Sequence, residues 1–205
     1  MRIAISGLSG CGSTTACTNV GKALGLKVVN YTFRNLAAAN FLHLSEIQRL
    51  ATRNREVDYL TDQQLIRLAQ KEKNCVVGSR LAGWLIDADL SVWLEAPLET
   101  RAGRIAHREK LPFAAVKRAT AKRDADNISR YKKVYGIDTL DHSDFDIVVN
   151  TSRLSARQVA ELIVTAAKWA AANRERPANL HAQRIKAIIS QKLKGNKLKK
   201  LGLQL

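Results

Sequence analysis

The chain has 205 residues, of which 46% are hydrophobic, and a formal net charge of +16, with 34 Lys and Arg against 18 Asp and Glu. This length predicts one compact domain with room for an appendage, and the apolar content excludes a chain that is disordered throughout. Since no apolar run approaches the ~18 residues of a membrane span and the N-terminus lacks the pattern of a signal peptide, we predict a cytoplasmic protein.

Segments typical of buried strands alternate with segments of helical periodicity along residues 1–172. Strands that alternate with helices predict an α/β fold, in which a doubly wound, mainly parallel sheet is covered by helices on both faces. Five strands are predicted, at residues 3–5, 27–30, 74–78, 90–94 and 145–150.

Capping residues and a glycine set the predicted limits of the helices. A Ser or Thr followed three residues later by Gln forms a capping box, which predicts helix starts at Ser45, Thr61 and Ser155. Gly25 predicts that the first helix ends at about Leu24. Two further helices are predicted, at residues 97–108 and 112–134.

Two residue types with reactive or stacking side chains are expected in the core. The cysteines are an odd number without CxxC spacing, which favours buried free thiols over a disulfide or a zinc site. The tryptophans lie beside predicted strands or among alanines, and we expect them to pack. These residues are Cys11, Cys17, Cys75, Trp84, Trp93 and Trp169.

A glycine-rich turn separates the first predicted strand from the first predicted helix. It matches the phosphate-binding frame G-x-x-x-x-G-K-[ST] in position and in flanking structure. Glycines let the backbone curl so that N–H groups point inward, and the helix N-terminus adds partial positive charge. The pattern favours a nucleotide site over a glycine turn without a ligand. The predicted loop consists of Gly7, Leu8, Ser9, Gly10, Cys11, Gly12, Ser13, Thr14 and Thr15.

One position of the loop departs from this frame. The frame requires Lys at position 13, and the chain has Ser13, which cannot supply a cation to transferring phosphates. Thr14 provides the hydroxyl that is expected to bind magnesium. We therefore predict phosphate binding at this loop and leave open how fast any catalysis would be.

Beyond the loop, several segments of residues 1–172 resemble the archaeal-type cytidylate kinases. The longest are residues 130–138 (RYKKVYGID) and 145–150 (FDIVVN), with shorter ones at 31–36, 79–84, 93–97 and 101–108. The resemblance implies the P-loop NTPase fold of nucleoside monophosphate kinases, in which a five-stranded parallel sheet carries a helical monophosphate-binding region and a mobile lid. It also implies transfer of a phosphoryl group from ATP, with Mg²⁺, to CMP or dCMP, giving ADP and CDP or dCDP.

The same resemblance implies roles for four arginines. It places Arg34 and Arg80 at the acceptor monophosphate, and Arg123 and Arg130 in the lid as catalytic residues around the transferring phosphoryl group. Planar guanidinium groups contact phosphate oxygens in pairs and neutralise spread negative charge. The alternative for each arginine is a surface ion pair. If the lid arginines catalyse, replacing either with Ala should slow turnover and barely change stability.

A second position departs from the family pattern. The family usually has an acidic residue two positions before the arginine that binds the monophosphate, and this chain has Gly78 there. Four aspartates are candidates to replace this acid in holding nucleotide or metal. They are Asp87 and Asp89, which follow Arg80, and Asp124 and Asp126 in the predicted lid.

Residues 173–205 differ in composition from the predicted kinase-like domain at residues 1–172. Residues 174–205 hold nine basic side chains and one acid, Glu175. Apolar residues recur at helical spacing from Leu180 to Leu193, which predicts an amphipathic helix followed by a basic end. A membrane partner is not predicted, because the apolar face is short and has no aromatic anchor.

Two alternatives stay open for this C-terminal segment. It is either a helix packed on the body with a solvated end, or a docking element for an anionic partner, which would be RNA or a ribonucleoprotein such as the ribosome. The second alternative, together with Ser13 and Gly78, would suit a kinase-derived binding protein with weakened catalysis. The lid arginines and the YGID segment favour an enzyme.

Overall fold

A five-stranded sheet forms the centre of the computed structural model, which describes residues 1–173, 179–193 and 203. Its strands are β1 (Arg2–Gly7), β2 (Lys27–Val29), β3 (Cys75–Gly78), β4 (Leu90–Glu95) and β5 (Ile147–Asn150). The strand order is β2-β3-β1-β4-β5, and neighbouring strands run parallel. This topology confirms the predicted doubly wound parallel sheet.

Helices cover both faces of this sheet. They are α1 (Ser13–Leu24), α2 (Phe33–Ala39), α3 (Leu44–Arg53), α4 (Glu56–Lys71), α5 (Ala82–Leu85), α6 (Leu98–Glu109), α7 (Phe113–Tyr135), α8 (Ala156–Ala172) and α9 (Leu180–Lys192). Because side chains alternate along a strand, Ile3 and Ile5 join the core beneath α1 and α8. Ala4, between them, joins the opposite core, which includes Leu65 of α4 and Trp84 of α5.

Two predicted helix starts were wrong, and in each case the real start lies earlier. α3 begins directly after His43, whose N–H donates to the Glu46 carboxylate over 2.8 Å, and not after Ser45. α4 begins at Glu56, so Thr61 lies inside the helix, where its hydroxyl donates to a carbonyl one turn back. A hydroxyl residue inside a helix can bond in this way to the preceding turn, and its sequence pattern then mimics a cap.

The residues expected in the core are buried, apart from Trp169. Trp84 and Trp93 pack edge to face, with ring centroids 5.6 Å apart. Trp169 is 69% exposed, because α8 turns its other side to the sheet, so that expectation was wrong. The three cysteines are buried free thiols. Burial raises the pKa of Cys11 to about 11 and that of Cys17 to about 12, which keeps both protonated and unreactive.

The helix α9 packs its apolar side on the body of the protein. Ala182, Ile185 and Ile189 are buried, and the side-chain amide of Asn179 donates to the Gly83 carbonyl over 3.0 Å. This packing agrees with the first alternative for the C-terminal segment. Residues 174–177 of the predicted junction and the lysines at 194, 197, 199 and 200 lie outside the described residues, so docking of RNA stays a prediction. None of the described helices is long and apolar enough to cross a membrane.

Candidate active site

A cleft of about 1730 Å³ opens where β1 and β3 end at Gly7 and Gly78. β1 lies between β3 and β4, and in open α/β sheets such a reversal of strand order is where ligands bind. The loop residues and the four arginines that sequence analysis selected for the site all line this cleft. They are residues 7–15, Arg34, Arg80, Arg123 and Arg130.

The loop winds tightly around the start of α1, and two of its glycines are needed for that path. Gly10 has a φ of +88°, and a Cβ there would lie 2.7 Å from the Arg101 carbonyl oxygen. Gly12 precedes α1 with a φ of +95°, a conformation that other residues rarely adopt. The N–H groups of the first turn, from Ser13 to Thr15, have no partners within the helix and are available to an anion.

Three side chains outside the loop hold its carbonyl groups. Arg101, Arg104 and the Thr151 hydroxyl donate to the consecutive carbonyls of residues 9–11 over 3.2, 3.4 and 3.1 Å. Because N–H and C=O point in opposite directions across a peptide bond, each held carbonyl fixes the direction of the next N–H. Sequence analysis did not select these residues. The sequence features that could have indicated them are two arginines one turn apart on α6 and a threonine directly after the last strand.

Ser13, where the phosphate-binding frame has Lys, carries a polar atom without a partner. Its hydroxyl oxygen is buried and forms no hydrogen bond with any described residue. A buried unpaired hydroxyl is costly unless a ligand or water satisfies it, so this turn fits a bound phosphate. The neighbouring Thr14 is exposed in the cleft, and its hydroxyl is an oxygen ligand of the kind that Mg²⁺ takes.

The structure gives a physical reason for Gly78, where the family pattern has an acid. A Cβ at this position would lie 2.7 Å from the sulfur of Cys17, which reaches across from α1. Real Cβ atoms do not approach a neighbour so closely, so an acid at position 78 would require Cys17 to move. The glycine and the buried thiol therefore belong to one packing arrangement.

The four aspartates considered as substitutes for this acid lie in different places. Asp124 is buried in an ion pair with Arg101, at a nitrogen–oxygen distance of 2.6 Å. Asp87 and Asp89 directly precede β4, at the opposite edge of the sheet from the loop. Asp126 lines the cleft, where it pairs with a neighbouring lysine on α7. Of these four, only Asp126 faces the region where nucleotide would bind.

Arg80 connects the loop to α7. One terminal nitrogen donates to the Ser9 hydroxyl over 2.8 Å, and the other donates to the Tyr131 hydroxyl over 3.3 Å. Its Nε is buried and has no partner among the described residues. A buried cationic donor without an acceptor is well suited to bind an anion. Arg34 lies at the same cleft, exposed on α2.

The two predicted lid arginines, both on α7, have different surroundings. Arg123 is exposed at the cleft. Arg130 donates to Oδ2 of Asp58 from two nitrogens, over 2.9 and 2.7 Å, and lies 5.1 Å above the ring of Phe33. Asp58 is 4% exposed; burial raises its pKa, and the charge of Arg130 lowers it. Arg130 therefore forms a buried ion pair that sequence analysis missed.

A further acid on α4, Asp62, lines the cleft and was also missed. Its Oδ2 accepts a hydrogen bond from the Tyr135 hydroxyl over 2.5 Å. Burial raises the pKa of Asp62 to about 7, with a smaller contribution from Asp58, while Tyr135 and Arg130 lower it. The sequence feature that could have indicated Asp62 is the pair of acids, Asp58 and Asp62, four residues apart on α4. The wrong helix start at Thr61 concealed it, because it left Asp58 outside the helix.

Comparison with known proteins agrees with this architecture. The model of the cytidylate kinase-like family matches residues 2–153. The cytidylate kinase of Pyrococcus abyssi is 38% identical over 167 residues, which cover 80% of this chain and 92% of that protein. The cytidylate kinase of Archaeoglobus fulgidus is 40% identical over 169 residues, which cover 81% and 94%. Shikimate kinase from Acinetobacter baumannii in complex with shikimate shares the fold, with a TM-score of 0.55, 14% identity, and coverage of 85% and 95%.

Proposed function

Because the chain belongs to the cytidylate kinase-like family, we propose that it is a nucleoside monophosphate kinase acting on CMP or dCMP. An oxygen of the acceptor phosphate would attack the terminal phosphorus of ATP, forming a new P–O bond as the bond to ADP breaks, with CDP or dCDP as the second product. The observation that carries the proposal is Arg80. It spans from the phosphate loop at Ser9 to α7 at Tyr131, so an anion bound at its free Nε lies beside the loop.

The loop would hold the phosphates of ATP. Its N–H groups and the N-terminus of α1 provide the donors, and Arg101, Arg104 and Thr151 keep the loop in shape. Thr14 would hold the Mg²⁺ that accompanies ATP, and this ion would neutralise part of the phosphate charge. Ser13 would donate a hydrogen bond where other P-loop proteins place a lysine.

The acceptor and the transferring group would be held by arginines. Arg80 and Arg34 would bind the acceptor phosphate, and Arg123 and Arg130 would act around the transferring phosphoryl group. Phosphoryl transfer depends mostly on positioning and on neutralising spread charge, which guanidinium groups do well. Several arginines around one cleft can therefore supply the charge that Ser13 does not.

An assay coupled to ADP formation tests this proposal. The full chain with ATP and Mg²⁺ should phosphorylate CMP or dCMP, and UMP and AMP serve as comparison acceptors. Direct detection of CDP or dCDP by chromatography separates transfer from ATP hydrolysis. Failure to transfer phosphate to any monophosphate would overturn the proposal. It would favour the alternative of a kinase-derived protein that binds RNA or a ribonucleoprotein.

Restoring the lysine of the phosphate-binding frame tests how the loop functions. The Ser13→Lys variant should have turnover equal to or above that of the wild type, because the lysine adds a cation where the surrounding arginines already supply charge. Ser13→Ala is the matched control, since it removes the hydroxyl without adding charge. Turnover would be measured at saturating ATP. A fall of tenfold or more in Ser13→Lys would show that the loop has no room for the missing cation.

The basic residues that follow α9 give a second prediction that stands apart from catalysis. Residues 194–205 contain four lysines and no acid. If they dock to RNA, the affinity for RNA should fall steeply as the salt concentration rises. On duplex DNA, each neutralised phosphate contributes roughly 0.9 to the slope of log affinity against log salt concentration. The chain without residues 194–205 should show a flatter slope and the same nucleotide binding. Equal slopes for the two chains would exclude RNA docking by this segment.

A further inference from the structure

We propose that Asp62 selects cytosine over uracil in the acceptor nucleotide, by accepting a hydrogen bond from the exocyclic amine of the base. The inference rests on the proposed function and deepens it, because it names the atom that distinguishes CMP from UMP. It depends on where Asp62 lies relative to Arg80, on which carboxylate oxygen is free, and on the hydrogen-bonding groups of the two bases.

The position of Asp62 follows from two helices, α4 and α7, that contact each other beside the cleft. Tyr131 and Tyr135 lie four residues apart on α7, about 6 Å along the helix axis. The first accepts a hydrogen bond from Arg80, and the second donates to Asp62 on α4. An acceptor phosphate bound at Arg80 would therefore place the rest of its nucleotide beside Asp62, which lines the same cleft.

One oxygen of the Asp62 carboxylate is available to a ligand. Oδ2 accepts from Tyr135, which holds the side chain in one orientation. Oδ1 has no hydrogen-bond partner among the described residues, and Asp62 lines the cleft. Tyr135 thus orients Asp62 and leaves Oδ1 free.

The two pyrimidines differ in the group that would meet this oxygen. Cytosine presents an amine donor at its 4-position, whereas uracil presents a carbonyl oxygen there, as thymine does. An ionised carboxylate only accepts hydrogen bonds, so it pairs with the amine and repels the carbonyl. Sites built to bind a donor on the substrate reject an analogue without it by as much as about 10⁴–10⁵-fold.

The variant Asp62→Asn tests the assignment with little change in shape. Its amide oxygen can still accept from Tyr135, and its amide nitrogen can donate to the uracil carbonyl. We expect the ratio of kcat/KM for CMP to that for UMP to fall by about 10²-fold, which is a modest fraction of the discrimination such sites reach. The assays would be run at pH 8, above the pKa of about 7 for Asp62, so that the wild-type carboxylate is ionised.

Tyr135→Phe is the matched control, because it removes the partner of Asp62 and keeps the carboxylate. The control should lower the CMP to UMP ratio less than Asp62→Asn does, because the carboxylate remains although Tyr135 no longer orients it. If Asp62→Asn lowered kcat/KM equally for CMP and UMP, so that their ratio did not change, the assignment would be overturned. Asp62 would then serve only to join α4 to α7 through Tyr135. A wild-type protein that uses CMP and UMP equally well would also overturn the assignment.

Calorimetric binding of CMP and UMP separates this inference from the proposed function. If the wild type transfers no phosphate but binds CMP more tightly than UMP, and Asp62→Asn removes that preference, the kinase proposal fails and the role of Asp62 stands. If transfer occurs and the binding preference is the same in both proteins, the role of Asp62 fails alone. If neither nucleotide binds, both fail.

Discussion

Replacing Arg130 with Ala is expected to lower the free energy of unfolding by about 3–5 kcal/mol at pH 8, the usual cost of removing one partner of a buried ion pair. Asp58 is 4% exposed, and it accepts hydrogen bonds from the Nε and a terminal nitrogen of Arg130. Without them, a carboxylate would stay buried beneath α7 with no cation to compensate it. This outcome differs from the sequence-based expectation that Arg130 affects turnover alone.

The pH dependence of this loss follows from the pKa of Asp58. Burial already raises that pKa, and loss of Arg130 would raise it further above its value in the unfolded chain. A carboxyl whose pKa is higher in the folded state favours folding when protonated and opposes it when ionised. The Arg130→Ala variant should therefore be closer to the wild type at pH 5 than at pH 8.

Urea denaturation at the two pH values measures this effect, and two further variants control it. Asp58→Asn combined with Arg130→Ala should recover part of the loss, because no charge is then buried. Arg157→Ala removes an exposed arginine that pairs with Glu161 on α8, and its denaturation midpoint should match that of the wild type. A single Arg130→Ala variant as stable as the wild type at pH 8 would contradict the buried pair.

Local sequence signals were sufficient for the sheet and for the loop. The buried strands are short apolar runs such as that of β4, and the glycine pattern of residues 7–12 lies directly between a strand and a helix. Both features depend on neighbours in the chain, so a single sequence reveals them. The confirmed capping box at Ser155 belongs to the same class, since its partner is three residues away.

The parts of the site that sequence analysis missed depend on residues distant in the chain. Asp58 and Arg130 are 72 positions apart, and the contact between Cys17 and Gly78 joins α1 to β3. No periodicity or spacing rule connects such pairs, because the fold alone brings them together. Thr61 shows the reverse error. Its capping pattern with Gln64 predicted a helix start, but α4 begins five residues earlier, at Glu56.

The largest effect on catalysis is expected at Arg123, where Ala should lower kcat by about 10²-fold or more. Arg123 is exposed on α7 and lines the cleft, so its loss removes a positive charge from the phosphate region and leaves packing intact. The denaturation midpoint should therefore stay at the wild-type value, in contrast to Arg130→Ala. A fall in kcat with little change in KM would assign the interaction to the transition state.

The matched control is Arg118→Ala, which removes an exposed arginine from the same helix but outside the cleft residues. Both variants lower the net charge by one, so any general electrostatic effect on ATP should appear in each. Arg123→Lys keeps the charge and loses the planar fork that contacts two phosphate oxygens, and its turnover should lie between those of the wild type and Arg123→Ala. If Arg123→Ala lost no more turnover than Arg118→Ala, Arg123 would be an ordinary surface arginine, and the charge around the transferring phosphoryl group would have to come from Arg80, Arg34 and Arg130.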